Sequence, residues 1–436
     1  METKLVRIAE IAKEKPKEVF TALYHHLNQE MLIECHQELS GNKAAGVDRV
    51  TKAEYEKNLE ENIKNLVERL ERQGYRPQPV RRTYIPKGDN ETRPLGIPAY
   101  EDKIVQLGLK KILQAIYEQD FLKYSHGFRP ELGCHDALRE LGFIIQGKIN
   151  YIVDADIRGF FDNVNHEWMM KFLGVRIGDP KILRLIKKFL KAGVMEDGKV
   201  EPTESGTPQG AIISPVLANV YLHYVLDLWF EKAVKPSYKG EAHLVRYADD
   251  FVCCFQYKDE AERFYKALKE RLNKFELEVA EKKSKIIMFG RFAEQERSKL
   301  GLGRPETFDF LGFTHYCGKN RNGKFTVKRK TSKKKFKAKI KAFKQWVKTI
   351  RNQDIHEIFK TVEAKLRGHY NYYGITDNYK MMRKYREVTT RLLFKWLNRR
   401  SQRKSFTWEK FELFLKRKPL PTPKIRVNLW ALKASS

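Results

Sequence analysis

The chain has 436 residues, more than one hydrophobic core usually serves, so two or three domains are expected. Its 42% hydrophobic and 12% aromatic residues supply packed cores and exclude a disordered chain. No apolar run is long enough to span a bilayer and no charged-then-apolar leader opens the chain, so the sequence predicts a cytoplasmic protein without a membrane partner.

Residues 1–75 read as helical, with apolar positions such as Leu59, Ile63, Leu66, Val67 and Leu70 at helical spacing and a loop at Gly41–Gly46. Between 76 and 100 the prolines Pro77, Pro79, Pro86, Pro94 and Pro98 break helix, and the short pieces between them suit extended strands or a hairpin. Residues 101–123 return to a helix pattern. Two apolar runs then read as strand or hairpin: Tyr151 to Ile157, and Leu244 to Phe255. Between them 164–230 is mostly helix, interrupted by a loop at Thr203–Gln209. A helix over 259–274 and a strand over Phe308–His315 follow. From 333 the residues Phe336, Ile340, Phe343, Val347 and Ile350 form the apolar stripe of a helix whose other face is almost wholly Lys and Arg. The stretch 318–324 is the weakest boundary. The expected domains are 1–75, a helical extension; 76–318, the body; and 319–436, a basic module.

Charge is distributed unevenly. The chain carries +30. Residues 319–436 hold 35 Lys and Arg against 7 Asp and Glu, leaving 50 and 48 of the chain's 85 and 55 for 1–318. Within 319–351 there are 15 basic residues and no acidic one. A polyanion-binding module joined to a near-neutral body accounts for this, and nucleic acid is the expected polyanion. The five cysteines form no CxxC pair, which argues against zinc ligation and a disulfide framework.

Carboxylates on apolar strands need explaining, because an unpartnered buried charge costs several kcal/mol. Asp156 lies within one run, and Asp249 and Asp250 sit between Leu244-Val245-Arg246-Tyr247 and Phe251-Val252-Cys253-Cys254-Phe255. Adjacent aspartates in a hairpin turn, with a third on a neighbouring strand, suit two hard divalent cations such as Mg²⁺. On the dipeptide alone, capping a surface turn is the commoner role.

Tyr247-Ala248-Asp249-Asp250 resembles the YADD box of group II intron reverse transcriptases, or maturases, and further motifs follow that family's order. They are Lys43 to Asp48; Ile85-Pro86-Lys87 with Arg93 to Pro98; Ser125 to Pro130 with Cys134 to Leu138; Asp156 to Asp162; Gly206-Thr207-Pro208-Gln209-Gly210 with Ser214-Pro215 and Leu217-Ala218-Asn219; and Phe310 to Phe313. Leu366 to Gly374 and Trp396 to Gln402 resemble the maturase domain. Ala211 and Glu131-Leu132-Gly133 depart from the pattern without removing a carboxylate.

The resemblance implies an α+β right-hand polymerase of fingers, palm and thumb, with an antiparallel palm sheet and a helical C-terminal RNA-binding domain. Asp156, Asp249 and Asp250 would be catalytic, holding two Mg²⁺ ions. Lys87 and Arg93 would hold the triphosphate, as a compact ammonium and a forked guanidinium can. Phe161 would exclude a ribose 2′-hydroxyl, although core packing is its ordinary role. Gln209 would lie by the nucleotide or template backbone, and Lys283 near the leaving phosphate, where a solvated charge run is the alternative. Lys333, Lys334, Lys335, Lys337, Arg367, Arg399 and Arg400 would bind RNA, whereas Tyr370, Tyr372, Tyr373 and Trp396 individually read as core. The implied partners are a structured intron RNA, an RNA template with DNA primer, and deoxynucleoside triphosphates. The absence of a Cys/His cluster after the maturase-like part implies the endonuclease-less kind. Two other readings share these motifs: a reverse transcriptase domesticated for repair or phage defence, and a splicing factor with a vestigial polymerase site. Oligomeric state is left open.

Overall fold

The computed structural model describes residues 2–88, 91–196, 198–207, 209–400 and 406–431. In chain order its elements are α1 (Glu2–Glu14), α2 (Gln29–Glu38), α3 (Lys52–Glu56), α4 (Leu59–Glu71), β1 (Val80–Gly88), β2 (Glu91–Ile97), α5 (Tyr100–Tyr117) and α6 (Cys134–Gln146). Next come β3 (Tyr151–Asp156), α7 (His166–Gly174), α8 (Pro180–Leu190), β4 (Val194–Glu196), β5 (Lys199–Glu201), α9 (Ser214–Leu222), β6 (Ala242–Tyr247), β7 (Asp250–Phe255), α10 (Lys258–Asn273), β8 (Lys285–Met288) and α11 (Ala293–Lys299). The chain continues with β9 (Phe308–Phe310), β10 (Phe313–Lys319), β11 (Phe325–Thr331), α12 (Lys333–Ile350), α13 (Ile355–Tyr373), α14 (Tyr379–Leu397) and α15 (Trp408–Arg417). This is an α+β fold in which β1 with β2, β4 with β5, β9 with β10 and β10 with β11 pair antiparallel and β1 with β4 pairs parallel.

Two compact units emerge, and neither is one stretch of chain. The first comprises residues 1–133, 155–253 and 259–285; the second comprises 134–154, 254–258 and 286–436. A sheet of order β6-β7-β3-β8 has strands that the division crosses.

The first unit is organised on α5. Ile104, Val105, Leu109, Ile112, Leu113 and Ile116 are all fully buried, as befits a helix apolar on most sides, and α1, α2 and α9 pack against it. Helix starts follow the local sequence. Asn28 caps α2 by accepting from Met31 N, and Thr51 with Glu54 forms a capping box on α3. Asp179 accepts from Lys181 and Ile182 at the start of α8 and also from Leu23 and Tyr24, tying the N-terminal region to the unit. The proline-rich stretch makes the antiparallel β1–β2 hairpin, with Tyr84 opposite Pro94 and Pro86 opposite Thr92.

Two local expectations are corrected. The segment expected to be helix and loop between 164 and 230 contains the β4–β5 hairpin, in which Val194 pairs with Glu201 and, in parallel, with Val80 of β1. Three-residue strands carry too little alternation to read; β4 forms by pairing with β1, and β5 by pairing with β4. The strand expected over Phe308–His315 is itself a hairpin in the second unit. Leu311 and Gly312, at φ +49° and +79°, turn the chain so that Phe313 pairs with Phe310 and His315 with Phe308. The stretch 318–324 holds the end of β10 and the turn into β11, with Gly318 opposite Thr326 and Lys319 opposite Phe325.

The second unit packs α12 against α14 and α6 against β11. Buried Asn378 joins its parts, accepting from Thr331 N and donating to the carbonyl of Tyr373. Tyr370, Tyr373 and Trp396 are buried and belong to this core. Half-buried Tyr372 donates to the carbonyl of Leu311. All five cysteines are free. No described helix is long and apolar enough to cross a membrane.

Candidate active site

The site lies wholly within the first unit. β6 ends at Tyr247 and β7 begins at Asp250, leaving Ala248 and Asp249 to make the turn. A two-residue hairpin needs positive φ, and Ala248 supplies it at +57°. Such a conformation costs a non-glycine residue about 1–3 kcal/mol and persists only where its surroundings fix it.

The surroundings here are specific. Arg246 is completely buried, and its guanidinium donates to both carboxylate oxygens of buried Asp227 at 2.8 and 2.5 Å, to Asn219 Oδ1 at 2.9 Å and to Ser125 Oγ at 2.7 Å. The same Nη1 donates to the carbonyl of Ala248 at 2.9 Å, holding the strained turn directly. Asp227 reaches Arg246 from a π-helical turn, His223–Asp227, that continues α9; such turns recur at functional sites. Gly127 lies so close to the turn that a Cβ there would stand 2.2 Å from Ala248 N, so only glycine fits.

Asp156 comes to the same place from the end of β3. Its carbonyl accepts from Ala280 N at 2.8 Å and its own N–H donates to Ser284 Oγ at 3.2 Å. The 280–284 segment thereby brings Lys283, whose Nζ stands 3.2 Å from Asp156 Oδ2. Asp156 is 42% exposed at the side chain, so it fronts an open cleft and is not buried as its apolar strand had suggested.

The cleft measures about 980 Å³. Asp156 and Asp249 line it together with Arg93 from β2, Phe161 from a 3-10 turn after β3, Gln209 and Lys283. Five separated chain segments thus meet. The segments around Thr207 and Gln209 tie three of them: Thr207 N donates to the carbonyl of Phe161 at 2.7 Å, and Gly96 N donates to the carbonyl of Gln209 at 2.6 Å. Gly210, at φ +106°, allows this approach, since a Cβ would sit 3.0 Å from Gly96 O.

Burial, reinforced by the negative charge of Asp156, holds the Asp249 carboxyl above its ordinary range; Arg93 and Arg246 pull it back. The two carboxylates repel across a cleft where a cation would relieve both. Asp250 heads β7 and is not among the lining residues. Among the described residues no group of three carboxylate, imidazole or thiol side chains forms a ready metal cage. Magnesium commonly takes only one or two protein carboxylates and completes its shell with water and substrate phosphate, so the Asp156–Asp249 pair suits it. The Lys87 side chain lies outside the described residues.

Sequence alone gave no role to Arg246, Asp227, Asn219 or Ser125. A signal existed: Arg246 in an apolar strand and Asp227 in an apolar helix are opposite charges, each needing a partner.

The family "Reverse transcriptase (RNA-dependent DNA polymerase)" matches residues 85–315, and "Group II intron, maturase-specific domain" matches 333–414. The group II intron-encoded protein LtrA of Lactococcus lactis is 31% identical over 449 residues, covering 87% of this chain and 74% of that protein. The chain belongs to the group II intron-encoded reverse transcriptases. It is also similar to protein YkfC of Escherichia coli, 31% identical over 60% of this chain and 78% of that one. The nuclear intron maturase 3 of Arabidopsis thaliana shares 26% identity over 29% of this chain and 18% of its own length. The reverse transcriptase match contains Asp156, Asp249, Arg93, Phe161, Gln209 and Lys283. The maturase match runs from the start of α12 into α15. This chain is an RNA-directed DNA polymerase that assists intron splicing.

Proposed function

We propose that the cleft extends a DNA primer on an RNA template, with Asp156 and Asp249 as the carboxylates that hold two Mg²⁺ ions and Asp250 supporting them from the head of β7. The convergence of two mutually repelling carboxylates with Arg93, Phe161, Gln209 and Lys283 in one cleft carries this reading. When bound, the metal ions would activate the primer 3′-hydroxyl and neutralise the departing pyrophosphate.

The chain's own residues do the rest. Arg93, with Lys87 on the same hairpin, neutralises and orients the triphosphate of a deoxynucleotide. Phe161 blocks the space a ribose 2′-hydroxyl would take. Gln209, held by its carbonyl to Gly96, faces the nucleotide. Lys283 neutralises Asp156 in the free protein; its long side chain turns to a phosphate once the carboxylate has another cation. In right-hand terms β1 and β2 are fingers, the sheet bearing Asp156 and Asp249 is palm, and α12 begins the thumb and RNA-binding part.

The structured RNA partner is read by the basic segment. Lys333, Lys334, Lys335 and Lys337 are exposed on the first turns of α12. Cations there oppose the helix dipole, and no acid occurs between 319 and 351 to balance them. They are costly for folding and useful for phosphate. Arg399 is exposed beside the Trp396 ring at 5.3 Å. Arg367 lies 3.9 Å from Glu363, and Arg400 donates to the carbonyl of Gln353, so both are partly engaged within the fold.

Primer extension on an RNA template with Mg²⁺ tests the reading. Asp249→Ala should lower extension by about a thousandfold or more, as loss of a metal ligand does, while binding of RNA stays within about twofold; extension by this variant at wild-type rate would overturn the assignment. Phe161→Ala should raise ribonucleotide incorporation, measured as the ratio of kcat/KM for the two sugars.

A further inference from the structure

One lining residue of the cleft has no role in the scheme above. Phe128 is 48% exposed, an aromatic ring on the cleft that Arg93, Asp156, Asp249 and Lys283 also line. Its backbone adopts φ +61°, a conformation that a bulky side chain rarely takes without compensation. Both neighbours are clamped. Gly127 is pressed against the carboxylate turn, and its carbonyl accepts from Asn219 Nδ2 at 2.7 Å. Arg129 donates to Glu118 at 2.8 Å and to the carbonyls of Leu122 and Ser125 at 2.9 and 2.8 Å.

Folding alone does not account for this arrangement. A glycine would meet the backbone requirement without strain, and an exposed ring gains little from burial. The clamps on either side hold the ring out into the cleft. Phe128 and Ala248, both non-glycine residues at positive φ, flank one tight backbone contact through Gly127, so the ring is placed with respect to the carboxylate turn.

We propose that Phe128 is a stacking platform for a nucleobase seated in the cleft, positioning it against the Asp249 turn. This rests on the polymerase reading of the cleft. An aromatic face suits any of the four bases, because stacking needs only a π surface, and a template-copying site must accept all four.

Full-length protein with an RNA template and recessed DNA primer tests this. The template carries 2-aminopurine opposite the incoming nucleotide or the primer terminus, since its fluorescence is quenched on stacking. Phe128→Leu keeps bulk and removes the π face; Phe128→Gly also relieves the positive φ. Both should raise KM for nucleotide or Kd for primer-template on the order of tenfold to a hundredfold and lose the quenching. The Gly variant should melt no lower than wild type, while Phe128→Tyr and Phe128→Trp stay within about threefold. Leu or Gly variants with unchanged KM, Kd and quenching would overturn the proposal, as would Tyr and Trp variants as defective as Gly. If wild type extends primers and the Phe128 variants match it, only this inference is lost. If wild type does not extend and equals Asp249→Ala, the polymerase reading of the cleft fails and this proposal goes with it.

Discussion

The near-neutral first three-quarters of the chain and the basic last quarter use charge in opposite ways. Before residue 319, acids and bases nearly balance, and the informative ions are turned inward. Arg246 with Asp227 is wholly buried, Arg176 stands 3.1 Å from Asp120, and Arg129 stands 2.8 Å from Glu118. After 319, 35 basic residues face 7 acidic ones, so most cations there have no acid of their own segment to pair with, and Lys333, Lys334, Lys335 and Lys337 of α12 meet solvent. Inward charge fixes geometry at a desolvation cost, whereas outward charge leaves geometry alone and supplies long-range attraction. A polymerase that also handles structured RNA needs both.

The sharpest way to break this contrast is to damage the inward charge. Arg246→Met leaves Asp227 buried without its partner and frees the carbonyl of Ala248. Truncating one side of a buried pair costs about 3–5 kcal/mol, so chemical denaturation should show a loss of that size and extension should fall with it. The double change Arg246→Met with Asp227→Leu should recover part of the stability but not the turn. Recovery of full extension by the double variant would show that Arg246 does not position Asp249.

The outward charge should respond to salt. Converting Lys333, Lys334, Lys335 and Lys337 to Gln should leave thermal stability unchanged or slightly raised, because the helix dipole opposes cations at that end. RNA affinity should fall, and its dependence on salt should flatten by up to about three log units per log unit of salt, at roughly 0.7–0.9 per phosphate contact. An unaltered slope in a filter-binding titration would remove these lysines from the RNA surface.

A further test, on stability alone, concerns pH. Burial lifts the Asp102 carboxyl from 3.8 to about 7, against hydrogen bonds from Tyr75 and from Gln78 N that favour its charged form. The folded state therefore keeps a proton that the unfolded chain has released. Asp102 favours folding most below its unfolded pKa, and that contribution declines as pH rises through the window, levelling off above about 7. Melting temperature should drop correspondingly, and Asp102→Asn should flatten the decline. An identical pH profile in the variant would assign the proton elsewhere.

Much of the site was legible because it is written in short, ordered motifs. Asp156, Asp249, Arg93, Phe161, Gln209 and Lys283 were named from sequence, and all six line one cleft. The β1–β2 hairpin was legible from its prolines, and α12 from a stripe with period near 3.6. The β4–β5 hairpin was not, because its three-residue strands exist only by pairing, β4 with β1 and β5 with β4. The turn at Leu311 was hidden for a related reason: leucine carries no local preference for φ +49°.

The sequence by itself determined the chemistry available, the family, the helical periods and the split between balanced and unbalanced charge, since each is carried by residue type and local spacing. Tertiary structure alone decided that Asp156 is half open and not buried, that Asp249 shares the cleft while Asp250 does not line it, and that Arg246 reaches across to hold the turn. It also decided that Phe128 stands exposed in a strained conformation beside that turn. Those facts depend on contacts between segments far apart in the chain, such as Ser125 with Arg246 and Asp156 with Ser284. No local preference encodes such contacts.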